Sequence, residues 1–142
     1  FLLSYQMLSD EVKCVFHALG VCAPSGVSVI ALAHIIDKSP NEVDLWLVEL
    51  ASYSLTHYDR TRGRTRLHGL LHDYAVFLAQ TNHEQYKVIL ARHQQYFKEE
   101  IAGSYEQALK SEQEEDSRVQ ALKRIDAEAD NVRLAQQRAF TK

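Results

Sequence analysis

Apolar residues recur every three to four positions along most of this chain, and the phase of the repeat resets at marked stops. Ser9 precedes Asp10 and Glu11, after which Val12, Val15, Phe16 and Leu19 fall on one helical face, with Gly20 just beyond. A serine cap, an acidic first turn and a terminal glycine predict a first helix. After the turn Ala23-Pro24-Ser25-Gly26, Val29, Leu32, Ala33 and Ile36 repeat the period and predict a short second helix that closes before Lys38. Ser39-Pro40-Asn41-Glu42 combines a capping box with proline at the first helical position, ahead of Val43, Trp46, Leu47, Leu50 and Ala51. The three helices are expected to share one core.

The period then changes. Leu55-Thr56-His57-Tyr58 and Thr65-Arg66-Leu67 flank a polar loop containing Gly63, the pattern of a β-hairpin. Downstream, Leu67, Leu70, Leu71, Tyr74, Ala75 and Leu78 predict one apolar face on a fourth helix that packs back on the first three. From Thr81-Asn82-His83-Glu84 a long helix is expected to carry Tyr86, Ile89, Leu90, His93, Phe97 and Ile101, reaching as far as Leu109, with a break in the charged stretch 110–117. A last helix would present Val119, Leu122, Ile125, Ala129, Val132 and Ala139 and pair with the one before as an antiparallel hairpin. The fold class is therefore mainly α, a winged helix over residues 1–80 followed by a helical linker, or the start of a helical-repeat region, over 81–142.

Composition narrows the function more than the fold. The chain has 142 residues, 46% hydrophobic and 25% charged, with a net charge of −3, so no general attraction to nucleic-acid phosphates or anionic lipid is expected. No apolar run approaches the roughly 20 residues of a membrane span, and the start lacks the pattern of a secretory signal, which predicts a cytoplasmic chain with no membrane partner. Cys14 and Cys22 are read as reduced, partly buried thiols without metal-ligand spacing.

Candidate chemistry is sparse. No glycine-rich phosphate loop ending in Lys and Ser or Thr is present, no serine lies in a nucleophile elbow, and neither cysteine is read as an activated nucleophile. His68 and His72 are four apart, but Gly69 stands where a metalloprotease carries its glutamate. These residues predict no catalytic site and no metal. The aromatic residues Tyr74, Phe77, Tyr86, Tyr96, Phe97 and Tyr105 are read as core rather than as a base-stacking platform. Arg60, Arg62, Arg64 and Arg66 alternate along the hairpin; Arg64 and Arg66 are candidates for contact with a phosphate or a neighbouring domain.

The run Arg64-Thr65-Arg66-Leu67-His68-Gly69-Leu70-Leu71-His72-Asp73-Tyr74-Ala75 resembles the Met-His-Asp motif and following helix of the winged-helix domain in NB-ARC signal-transduction ATPases, the STAND class. The segments 91–97 and 122–135 resemble the helical region that follows that domain in bacterial members, where it leads into tetratricopeptide-like repeats. The likeness spans about the whole chain. It implies that His68 contacts the β-phosphate of ADP and holds a closed, inactive arrangement. Leu67 replaces the usual methionine and keeps an apolar side chain, whereas Gly69 replaces the usual aspartate and removes a carboxylate, which predicts a weaker hold on the closed state.

The function implied by the resemblance is that of a non-catalytic regulatory module, in which the winged helix senses the ADP/ATP state of an ATPase module elsewhere in the parent protein. It would couple that state to a helical-repeat sensor, with self-association on activation. Nucleotide is expected only in the context of the parent protein and not on this chain alone. Two rivals are carried forward. One is a DNA-binding winged helix with a helical dimerisation hairpin, disfavoured because residues 40–53 carry Glu42, Asp44 and Glu49 and no Lys or Arg. The other is a protein-interaction module without a nucleotide link.

Overall fold

The computed structural model describes residues 2–101, 103, 106, 110 and 115–140. It is mainly helical with a small three-stranded antiparallel sheet. Helices α1 (Leu2–Gln6) and α2 (Asp10–Val21) come first, followed by strand β1 (Val27–Ser28), α3 (Val29–Ile36) and α4 (Pro40–Ser52). Strands β2 (His57–Asp59) and β3 (Arg64–Arg66), then α5 (Gly69–Thr81) and α6 (His83–Gln95), complete the first two thirds. A π-helical turn (Tyr96–Ile101) continues α6, and α7 (Glu115–Ala127) and α8 (Ala129–Phe140) close the described chain.

The predicted caps form. Ser9 Oγ accepts from Val12 N, and Ser39 and Glu42 make the reciprocal capping box ahead of Pro40; Ser28 Oγ, not expected as a cap, accepts from Ala31 N. α3 stops at Asp37, whose backbone turns left-handed at φ 57°, satisfying the final carbonyls.

Strand β1 had no counterpart in the sequence reading. It pairs with β3, giving the order β1-β3-β2, with Val27 opposite Thr65 and Ser28 opposite Arg64. A two-residue strand is too short to show alternation, so periodicity cannot reveal it. Its signal is the β-branched residues Val27 and Val29 beside Gly26, which takes φ 114° and lies so close to the Thr65 carbonyl that a Cβ there would sit 2.6 Å from the oxygen.

Gly20 does not end the first helix; α2 runs one residue further. A Cβ at Gly20 would lie 2.6 Å from the Ala75 carbonyl carbon and 2.7 Å from Val76 N, so glycine is what lets α2 and α5 touch backbone to backbone. That approach fixes the rotation of α5 and overturns part of its expected face. His72, Ala75 and Ala79 are buried, Leu71, Tyr74 and Leu78 are half-buried, and Leu70 is 85% exposed. Phe77, expected in the core, is 61% exposed. Small residues meet α2 because large ones would push it away.

One apolar core runs from Leu8 through Val15, Phe16, Leu32, Leu47 and Leu50 to Ile89, Phe97, Ile101 and Ala135. α6, its π-helical continuation and α8 thus bury apolar residues against the first eighty residues. The single last helix expected from the periodicity is two, interrupted at Glu128. Residues 115–117, expected in a break, are the first turn of α7; Val119 and Leu122, expected on an apolar face, are exposed. The expected continuation of α6 towards Leu109, the side chain of Ile125 and the aromatic residue Tyr105 lie outside what the structure describes.

Candidate functional site

Hairpin strand β3 ends at Arg66, Leu67 anchors the exit in the core, and His68 follows as the N-terminal cap residue of α5. Its side chain makes no capping hydrogen bond, and the residue is exposed. Gly69 opens the helix with nothing within 4 Å of where its Cβ would be, so a side chain at this position would meet no crowding.

His72 has a different fate from His68. It is buried, and its Nε2 lies 2.8 Å from the Cys22 carbonyl oxygen, placing the ring N–H there as donor. The two histidines are therefore not brought together, and among the described residues no group of three or more His, Cys, Asp or Glu is placed to hold a metal ion. Cys22 is fully buried and Cys14 partly so; burial pushes both thiols upward, which leaves them protonated and unreactive at neutral pH.

The four hairpin arginines have separate environments. Arg60 donates from Nε and Nη2 to the two carboxylate oxygens of Asp44 on α4, at 3.1 and 2.7 Å, and Tyr58 donates to the same carboxylate at 2.5 Å. These hydrogen bonds hold Asp44 below the usual carboxylate range, and burial together with Asp44 pushes Tyr58 up to about 12. Arg62 approaches Asp59 at 3.7 Å. Arg64 pairs with Glu128, between the last two helices, and that glutamate is buried. Arg66 is exposed and has no ion pair among the described residues.

Glu128 belongs to a buried polar cluster that sequence reasoning missed. Its Oε1 also accepts from Ser28 N at 3.0 Å, and its Oε2 accepts from Asn131 Nδ2 at 3.1 Å. Asn131, only 1% exposed, accepts from Ala23 N at 2.8 Å and donates to the Gly26 carbonyl. Its Oδ1 also faces His93 Nε2 at 3.1 Å, so the His93 proton sits on Nε2 and Nδ1 is left as the acceptor facing Arg138 Nη1 at 3.5 Å. Arg138 donates in addition to the Val21 carbonyl at 2.8 Å. Burial depresses His93 to about 4, keeping it neutral. No buried side-chain nitrogen or oxygen among the described residues lacks a partner.

The signal for this cluster was present as a phase. Glu128, Asn131, Ala135 and Arg138 are spaced by three, four and three, one face of a helix, and that face is the buried one. A hydrophobic-periodicity reading discards polar residues and so passes over a stripe built mostly from them.

Among the described residues no helix is long and apolar enough to cross a membrane. No family model, curated protein or solved structure matches this chain.

Proposed function

We propose that this chain is the non-catalytic regulatory module of a STAND-class, NB-ARC-type ATPase, a winged helix joined to a helical segment, acting in the cytoplasm within a larger protein. The element order supports the winged-helix reading: helix, short strand, two helices, then a hairpin whose second strand lies at the centre of the sheet. Adenine nucleotide would be held mainly by the ATPase module of the parent, with His68 reaching its β-phosphate.

The observation that carries the reading is the position of His68. An imidazole at the hairpin exit, exposed and making no capping bond, is available to donate to a phosphate oxygen, and more strongly when protonated. Gly69 leaves room for the carboxylate that the resemblance implies, which agrees with a switch whose closed state has been loosened rather than rebuilt. The Arg64–Glu128 pair ties the hairpin to the start of the last helix, and Asn131 ties that helix to the turn before β1, a physical route by which nucleotide-dependent movement would reach the sensor of the parent.

The DNA-binding alternative draws less support. The helix that would enter the groove has its Asp44 committed to the hairpin arginine Arg60, removing one of the cations a phosphate backbone would need. The test is His68→Ala in the intact parent. Faster ADP release and raised basal activity are expected, and unchanged nucleotide exchange would overturn the role of His68.

A further inference from the structure

We infer that the open face of the three-stranded sheet carries a binding site for a phosphoryl group, centred on Arg66 and separate from His68. Register fixes which side chains share that face. His57 stands opposite Arg66 and Asp59 opposite Arg64 across β2 and β3, while Tyr58 and Thr65 project from the other side, where Thr65 is buried and bonded to Thr56. A cavity of about 190 Å³ lies here, lined by Ser25, His57, Asp59, Arg62, Arg64, Thr65 and Arg66.

The charges in this cavity do not cancel. Arg64 is committed to Glu128, and Asp59 is shared between the Arg62 guanidinium at 3.7 Å and the Arg62 backbone N–H at 3.1 Å. Arg66 is left without an ion pair among the described residues and faces His57, which carries no negative charge, across the strand. Opposite charges in directly opposed positions stabilise a strand pair, and Arg66 has no such partner on β2. An arginine without an ion pair among the described residues, in a polar cavity lined by further arginines on an acidic chain, is a position where an anion would be held.

The ligand class follows from shape and charge. Guanidinium groups present paired N–H donors that match phosphate oxygens, and Ser25 also lines the cavity. The cavity is smaller than the roughly 300 Å³ at which pockets for whole drug-sized ligands begin, so it suits a phosphate or diphosphate group and not an entire nucleotide. Because it does not use His68, this site stands or falls independently of the nucleotide-sensing proposal.

The experiment is an amide-resolved NMR titration of the 142-residue chain with inorganic pyrophosphate at constant ionic strength, repeated on Arg66→Gln and, as a control on another exposed arginine, Arg133→Gln. Saturable shifts confined to the amides around residues 25, 57 and 62–66 are expected. Arg66→Gln should weaken binding at least tenfold and Arg133→Gln less than twofold, with thermal melts of both variants matching the parent chain. Absence of saturable shifts, equal weakening by the two variants, or tighter binding of duplex DNA than of pyrophosphate at the same face would overturn the inference.

Discussion

The side-chain amide of Asn131 donates to the carbonyl of Gly26, 105 residues away in sequence, at 2.7 Å. Through this bond, and the acceptance from Ala23 N, one residue of the last helix fixes the conformation of the turn between α2 and β1. A turn that carries a glycine at φ 114° is held from outside by a side chain as much as by its own backbone.

Asn131→Leu is therefore expected to be among the most damaging single changes in the chain. It leaves the Ala23 N–H and the Gly26 carbonyl without their partner and removes the acceptor of His93, a loss of about 3–4 kcal/mol given the desolvation cost of stranded buried groups. Arg133→Ala, two residues on, removes only an exposed pair with Asp130 and should cost under about 0.5 kcal/mol. Urea denaturation of the two variants checks the contrast; equal losses would refute the assignment of the buried cluster as a main stabiliser.

Stability should fall as pH falls through the window set by His93. In the folded chain it stays neutral down to about 4, whereas in the unfolded chain the imidazole takes up a proton near 6.5. Between these values the unfolded state binds more protons, so acidification favours it, by about 3 kcal/mol across the full window. Burial lowers His17 as well, which adds in the same direction. Chemical denaturation between pH 7 and 4.5 should show the decline, and a His93→Gln variant should show a shallower one.

The two glycines at positions 20 and 69 should respond in opposite ways. Gly20→Ala forces α2 and α5 apart against backbone atoms that cannot step aside, costing about 2–3 kcal/mol. Gly69→Asp meets open space and places a carboxylate in the first turn of a helix, which should leave stability unchanged or raise it by up to about 1 kcal/mol. In the intact parent the same Gly69→Asp change should slow ADP release if the nucleotide-sensing proposal holds. Melting temperatures and nucleotide-exchange rates check the two parts separately.

Leu70→Ser should change stability by less than about 0.5 kcal/mol, because the side chain is already in solvent, whereas Leu47→Ala should cost about 2–5 kcal/mol. Both lie at positions where apolar periodicity predicts a core residue. A large loss at Leu70 would mean that it is covered in solution.

That pair also shows how far the sequence could be read. Helices α2 and α4 announced themselves because Ser9, Ser39 and Pro40 are local signals whose physics does not depend on the rest of the chain. The rotation of α5 was not legible, because it is set by Gly20, some fifty residues earlier, through a contact between backbones. The break at Glu128 was hidden for a similar reason. Its carboxylate is drawn inward by Ser28 N and Arg64, partners that sequence proximity does not reveal. Of the candidate residues, His68 was singled out only by a resemblance; the commitment of Arg64 to Glu128, and the placement of Arg66 opposite His57, required the fold.

The attachment of α8 also sets how the chain yields under load. Polar anchors at Ala23, Gly26 and Val21 hold over a few tenths of an ångström and then fail, unlike an oily surface that slides and re-forms. A tug on the carboxyl-terminal helix would thus meet stiff resistance up to a threshold and then abrupt detachment, the behaviour of a latch and not of a spring.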